Sequence, residues 1–320
     1  MPREVETFKW NIEKRLSGDF IFKGITVLFA FSILVILVLM VVEMTMESIP
    51  SMDKFSWRFI AGRDWDAVQG SFGALPYIWG SVVSSMLALL LATPLSVGAA
   101  VFITEVAPKK FGGTVASLVE LLAAIPSVIY GLWGVLVMAP WLQKTVEPFL
   151  VAHFSFLPFF QGAPYGVSML AAVFILMIMV VPIITSITKE VLLTVPQSQK
   201  EAAIALGATR WEMIRIAVLP YGKSGILGAV ILGLGRAVGE TMAVTMVIGN
   251  TPQISLSLLA PAYTMPSVIA NEFAETTSKL HASALMEIGL ILLVVTLIIN
   301  VMARLLLWSV TRGEKGGVRI

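Results

Sequence analysis

Cysteine is absent from the 320 residues, which excludes disulfides, thiolate zinc sites and cysteine nucleophiles. Histidine is nearly absent: His153 and His281 are the two, assigned here to separate outer loops, and no HExxH pair or other metal-ligand spacing occurs. No metal site is therefore expected. A GxSxG nucleophile elbow is also missing, and no pairing of nucleophile with base stands above background, so the chain does not read as an enzyme. Charge is sparse, at 13% of residues with a net +2, so the placement of charges says more than their sum. Gly222, Lys223 and Ser224 spell the end of a phosphate-binding P-loop, but Ala217 stands where that pattern needs glycine, and Leu219 and Pro220 replace its strand and flexible loop. Any ATP chemistry belongs to another chain.

What the sequence has in abundance is apolar residue, 57%, with a mean hydropathy of +0.89. Six apolar stretches are each long enough for the roughly 20 residues that cross about 30 Å of hydrocarbon: Ile25 to Val42, Tyr77 to Thr104, Thr114 to Trp141, Gly166 to Ile187, Ser224 to Ile248 and Ala284 to Val310. The expected fold is all-α and integral to the membrane. Residues 1–24 form an N-terminal segment, 25–310 the six-span domain, and 311–320 a tail. Of the 22 Lys and Arg, sixteen fall on one side, counting Arg304 toward the end of the last stretch, and five on the other, with Arg236 inside the fifth span. Both termini and the 194–220 loop are thus expected in the cytoplasm. The first apolar run is long enough to remain as an anchor, and no small-residue cleavage site follows it. Phe8, Ile12, Leu16 and Phe20 recur every four residues among charges, the pattern of an amphipathic helix on the membrane surface.

The 194–220 loop carries the densest local signals. Ser198 with Glu201, and Thr209 with Glu212, have capping-box spacing, so helices are predicted to start at each. Gly207 stands between them where a left-handed residue closes a helix, and Pro220 is expected to end the second. Ala202, Ala203 and Ala205 keep the first helix slim enough for a partner to approach its backbone.

Glu201, Ala202, Ala203, Gly207, Leu219 and Pro220 together resemble the EAA loop of ABC importer permeases, although Ala217 stands where isoleucine is usual. The segments FGALPYIWG (72–80), VELLAAIPSVIYGLWG (119–134) and GLGRAVGETMAVTMVIGN (233–250) resemble the PstC-type permeases of phosphate-specific ABC importers. The resemblance implies a type I importer fold in the inner membrane, with the loop as coupling helix. It also implies four kinds of partner around the chain: a PstA-type permease, a PstB-type ATPase dimer that binds ATP and Mg, a PstS-type phosphate-binding protein, and lipid. No cofactor is expected in the chain itself and no nucleic acid as partner. The implied function is phosphate import by alternating access. Rival readings are the same architecture for sulfate, molybdate or phosphonate, an ATPase-independent secondary transporter or channel, and a scaffold or sensor without transport.

Arg236 is the most informative residue outside the loop. A guanidinium inside a span costs roughly 2.5 to 3.5 kcal/mol to insert, so it should face a cavity or a partner. Glu240, four residues on, is expected one turn away on the same face. The pair either neutralises itself or lies on the substrate path, where Arg236 offers five donors to a tetrahedral oxyanion. Apolar residues at both positions would avoid the penalty altogether, which favours the path. A carboxylate there can accept the proton that phosphate retains near neutral pH and sulfate lacks. Gly233, Gly235 and Gly239 allow close helix approach, Gly235 and Gly239 at GxxxG spacing. Glu120 and Glu105 are second candidates, with a structural role at a helix end as the alternative. Pro94, Pro126 and Pro182 should kink or loosen their spans. Phe55, Trp57, Phe59 and Trp65 read as headgroup-level anchors, and residues 251–283 as a lid, re-entrant turn or docking surface.

Overall fold

A computed structural model describes the backbone of residues 2–312 and the side chains of 19–108 and 110–309. Phe8, Ile12 and Leu16, on which the amphipathic N-terminal segment rests, and most of the 311–320 tail lie outside the described side chains. The helices are α1 (Pro2–Phe55), α2 (Arg58–Ala61), α3 (Leu75–Val101), α4 (Lys109–Ala123) and α5 (Ser127–Phe154), followed by α6 (Met169–Leu193) and α7 (Gln197–Ala205). Then come α8 (Arg210–Gly239), α9 (Met242–Val247), α10 (Met265–Glu272) and α11 (Lys279–Arg312). Among the described residues five helices are long and apolar enough to cross a membrane, six where the bent pair α4–α5 counts as one span.

α6 is the axis of the bundle. Its apolar residues run all round, and α3 packs along one side of it while α8 packs along another. Ala88 and Ala92 of α3, Ile175, Leu176, Val180 and Ile184 of α6, and Ala229 and Ala237 of α8 are buried together. The outer helices α1 and α11 pair with each other, and the Ser51 N–H donates to Ser283 Oγ at 3.0 Å where the end of α1 meets the start of α11. Both terminal helices therefore point away from that junction, toward the end of the bundle that carries α7.

Local chemistry explains two breaks that apolar content conceals. The third span is not one helix: it turns by 90° between Ala123 and Ser127. Pro126 has an extended ψ of 139° and disfavours helix in the residue before it. The Tyr130 hydroxyl donates to the Leu122 carbonyl at 2.9 Å, an acceptor in the last turn of the ended helix that also takes the Ile125 N–H at 3.3 Å, so the side chain ties α5 back to α4 across the bend. The fifth span does not run on to Ile248 either. α8 stops at Gly239, Glu240 is extended (φ −69°, ψ 124°), and α9 starts after it. By contrast, Pro220 does not end a helix as expected. α8 passes through it because a π turn at Ile214–Val218 widens the helix just ahead of a residue that has no N–H to donate.

At the end opposite α7, aromatics form a second core rather than headgroup anchors. Phe59, Phe72, Tyr77 and Tyr263 are buried with Ala284, Leu285 and Ile288, and Phe55 and Trp65 pack against them; Trp57 alone of the expected anchors is exposed. His281 is likewise not in a loop. It lies in the first turn of α11, buried, stacked on Phe72, with Nε2 3.1 Å from Glu272 Oε2, which also accepts from Trp65 Nε1 at 2.9 Å. His153 is in the last turn of α5. Burial pushes the Tyr263 hydroxyl up to about 12, so it stays protonated, accepting from Asn271 at 3.0 Å. The 251–264 stretch caps the bundle: Ala260 and Leu258 carbonyls accept from the Met169 and Leu170 N–H groups, otherwise orphaned at the start of α6.

Candidate functional site

Two regions gather the residues singled out in the sequence. The first is α7 and the corner after it. Helix α7 starts one residue earlier than expected, at Gln197, with Pro196 ahead of it and no side-chain cap. Pro196 already holds φ near −60°, so Ser198 falls inside the first turn and makes no capping box. The second box exists: Thr209 Oγ1 accepts from the Glu212 N–H at 3.3 Å, and Glu212 Oε2 accepts from the Thr209 N–H at 2.7 Å.

Between these helices Gly207 has φ +87°. Its N–H donates to the Ile204 carbonyl and the Ala208 N–H to Ala203, the paired bonds of a Schellman corner. A Cβ on Gly207 meets nothing within 4 Å, so only the backbone conformation demands glycine. Gly207→Val is expected to weaken the corner by about 1–2 kcal/mol. The reading is faster amide hydrogen exchange across α7, with Gly207→Asn less affected because asparagine tolerates this region. Equal, slow exchange in all three proteins would refute the assignment.

The faces of α7 divide cleanly. Ala203 is buried in one cluster with Ala100 and Val101 of α3, Leu192 of α6, Val195 just after it, and Met213, Ile214 and Val218 of α8, with Leu219 packed alongside. Glu201, Ala202 and Ala205 face outward, as do Leu206 (90% exposed) and Trp211 (64%). Ala202 and Pro220, with Gln199, Ile216, Ala217 and Tyr221, line an open groove of about 610 Å³. The short helix is thus anchored on its inner face and apolar at its exposed corner.

The second region is the open face of α8. Arg236, in its last turn, is exposed and makes no ion pair or hydrogen bond among the described residues. The expected pairing with Glu240 does not form, because the helix ends between them. Glu240, half-buried, instead accepts from the Ala243 N–H through Oε1 at 3.4 Å, at the head of α9. The glycines separate too: Gly233 packs on Val180 and Ile184, whereas a Cβ on Gly235 or Gly239 would meet nothing within 4 Å. Among the described residues, the GxxxG pair therefore borders open space and not another helix.

Arg236 lies on the side of α8 near Tyr130, the residue that pins the bend of the third span, without a hydrogen bond to it. The two broken spans touch just beyond. A Cβ on Gly131 would sit 2.6 Å from the Met246 sulfur and 3.0 Å from the Ala243 Cα, so glycine lets α5 and α9 approach this closely. Broken helices at membrane depth are tolerated where they are buried in protein or line a water-filled cavity, and here two of them adjoin an unpaired cation.

Glu120 and Glu105 are both ion-paired. Glu120 is largely exposed and bridges to Lys189 of α6 at 2.8 Å. Glu105 bridges to Lys200 of α7 at 2.6 Å, the two side chains 6% and 14% exposed. Two buried carboxylates escaped the sequence reading. Glu147 accepts from the Gly166 N–H at 2.8 Å and the Ser168 hydroxyl at 3.1 Å, holding the entrance to α6. Glu287, 5% exposed, lies inside the last apolar run, where the search that found Arg236 would also have found it.

The family described as binding-protein-dependent transport system inner membrane component matches residues 92–311. The phosphate transport system permease protein PstC of Mesorhizobium japonicum is 45% identical over 296 residues, 91% of this chain and 90% of that one. PstC of Pasteurella multocida is 41% identical, covering 92% and 93%. The probable PstC of Methanocaldococcus jannaschii is 34% identical, covering 91% and 94%. Among solved structures, the inward-facing MetNI methionine ABC transporter aligns with a TM-score of 0.56 at 18% identity, over 73% of this chain and 94% of that one, a likeness of fold.

Proposed function

Since the chain belongs to the binding-protein-dependent transport inner membrane components, and within them to the PstC permeases, we propose that it forms half of the membrane pathway of an ATP-driven phosphate importer. Its place as a multi-pass membrane component follows from the family and from its apolar helices. The other half of the pathway in this reading is a PstA-type permease, with a PstB-type ATPase dimer holding ATP and Mg and a PstS-type protein delivering phosphate from outside. The chain itself hydrolyses nothing. The excess of Lys and Arg at the α7 end supports a cytoplasmic position for α7 and both termini.

The observation that carries the proposal is Arg236: a cation without a partner among the described residues, on an open helix face beside two broken spans. Closure of the ATPases on nucleotide carries α7, and with it the ends of α3, α6 and α8 that share its core, so that the pathway opens outward. Hydrolysis returns it inward. Arg236 and Glu240 meet the ion in transit, the guanidinium donating to its oxygens and the carboxylate accepting from its remaining proton.

Radiolabelled phosphate uptake into vesicles containing the assembled complex tests this. Uptake should require ATP and resist excess sulfate, while Glu240→Gln should admit sulfate as a competitor. Active complexes that import no phosphate would move the substrate to another oxyanion. Uptake driven by membrane potential without ATP would make the chain a secondary transporter, and unchanged discrimination in Glu240→Gln would remove that residue from selectivity.

A further inference from the structure

A part-buried ion pair joins Glu105 to Lys200, away in the chain from Arg236 and Glu240. Glu105 lies in a π turn, Phe102–Val106, that continues α3 to its end. Carboxylates are disfavoured near a helix C-terminus, and Lys200 offsets both the carboxylate and the helix dipole. Lys200 sits in the first half of α7, immediately before Glu201. What else α3 and α7 share is a non-directional apolar cluster in which Ala100, Val101 and Ala203 are buried together. The ion pair, at 2.6 Å and shielded from water, is the directional link between them. Glu120–Lys189 joins α4 to α6 instead and leaves α7 untouched.

We propose that Glu105 and Lys200 are positioning residues, a strut that delivers the displacement of α7 to the second membrane span. The proposal rests on the importer reading above. Breaking one partner leaves a buried charge uncompensated, whereas exchanging the two charges keeps the pair. Glu105→Gln, Lys200→Met and the exchanged pair Glu105→Lys with Lys200→Glu are compared in the complete complex. Each single variant should lower the maximal rate of ATP-driven phosphate uptake about tenfold, with the KM for phosphate little changed and more ATP consumed per ion. The exchanged pair should recover most of the rate.

Because the chain contains no cysteine, Glu105→Cys with Lys200→Cys can also be joined by a short thiol-to-thiol linker. The linked protein should transport faster than the unlinked one. Wild-type uptake with single variants equal to wild type overturns the strut alone, as does a change confined to KM. Variants that fail to assemble, when the exchanged pair assembles, assign the pair to folding and overturn it too. Absence of ATP-driven uptake in wild type overturns the importer reading, and the coupling role with it.

Discussion

Arg236→Gln is expected to abolish most phosphate uptake while leaving the complex assembled. The two halves of that expectation have separate grounds. Assembly survives because the guanidinium is exposed and holds no ion pair or hydrogen bond among the described residues, so its removal orphans no protein group. Uptake fails because a charge-assisted donor facing an anion in a partly desolvated path is hard to replace. Truncating one member of such a pair costs about 2–5 kcal/mol, or roughly thirtyfold to several thousandfold in rate. Arg236→Lys should fall between, since it keeps the charge and loses the planar fork. Vesicle uptake with size-exclusion of the same preparations reads both halves. Normal uptake in Arg236→Gln would return this residue to a structural role and remove the main support for an anion path along α8.

Gly80→Ala should be the most destabilising single methyl at the end of the bundle opposite α7. A Cβ at Gly80 would sit 2.1 Å from the Tyr263 carbonyl oxygen and 2.8 Å from its carbon, and backbone cannot swing aside as a long side chain does. The Tyr263 segment is itself held, since the Met265 N–H donates to Ser81 Oγ at 2.8 Å one residue along α3. Relief requires α3 and residues 261–265 to part, opening the core around Phe59, Tyr77, Tyr263 and Leu285. Overpacking typically costs about 1–3 kcal/mol, and a backbone-to-backbone clash belongs at or above the upper end. Gly98→Ala, in the same helix but with nothing within 4 Å of its Cβ, is the control and should be neutral or slightly stabilising. Thermal unfolding in detergent distinguishes them. A Gly80→Ala protein that melts with wild type would mean that this contact is not close in the folded state.

How much of the candidate site was legible depends on the range of the interaction that builds it. The Thr209–Glu212 box and the left-handed Gly207 were readable because each is made within a few residues. Ser198–Glu201 had the same spacing and failed, because Pro196 starts the helix first. Arg236 was found because a lone cation in an apolar run is conspicuous, yet its expected partner was wrong. Helical periodicity places residues 236 and 240 on one face only if the helix continues, and it stops at Gly239.

The sequence by itself determined the membrane class, the apolar runs long enough to cross and the position of the α7 corner, because hydropathy over about 20 residues and hydrogen bonds within one turn need no tertiary partner. Only the tertiary structure decided which apolar runs break, where Pro220 is absorbed and Pro126 is not, and that His281 and the outer aromatics are core. It also decided that Glu105 meets Lys200 across 95 positions of chain. Those outcomes depend on which surfaces are left over when α6 has been packed by α3 and α8. No local pattern of residues contains that information.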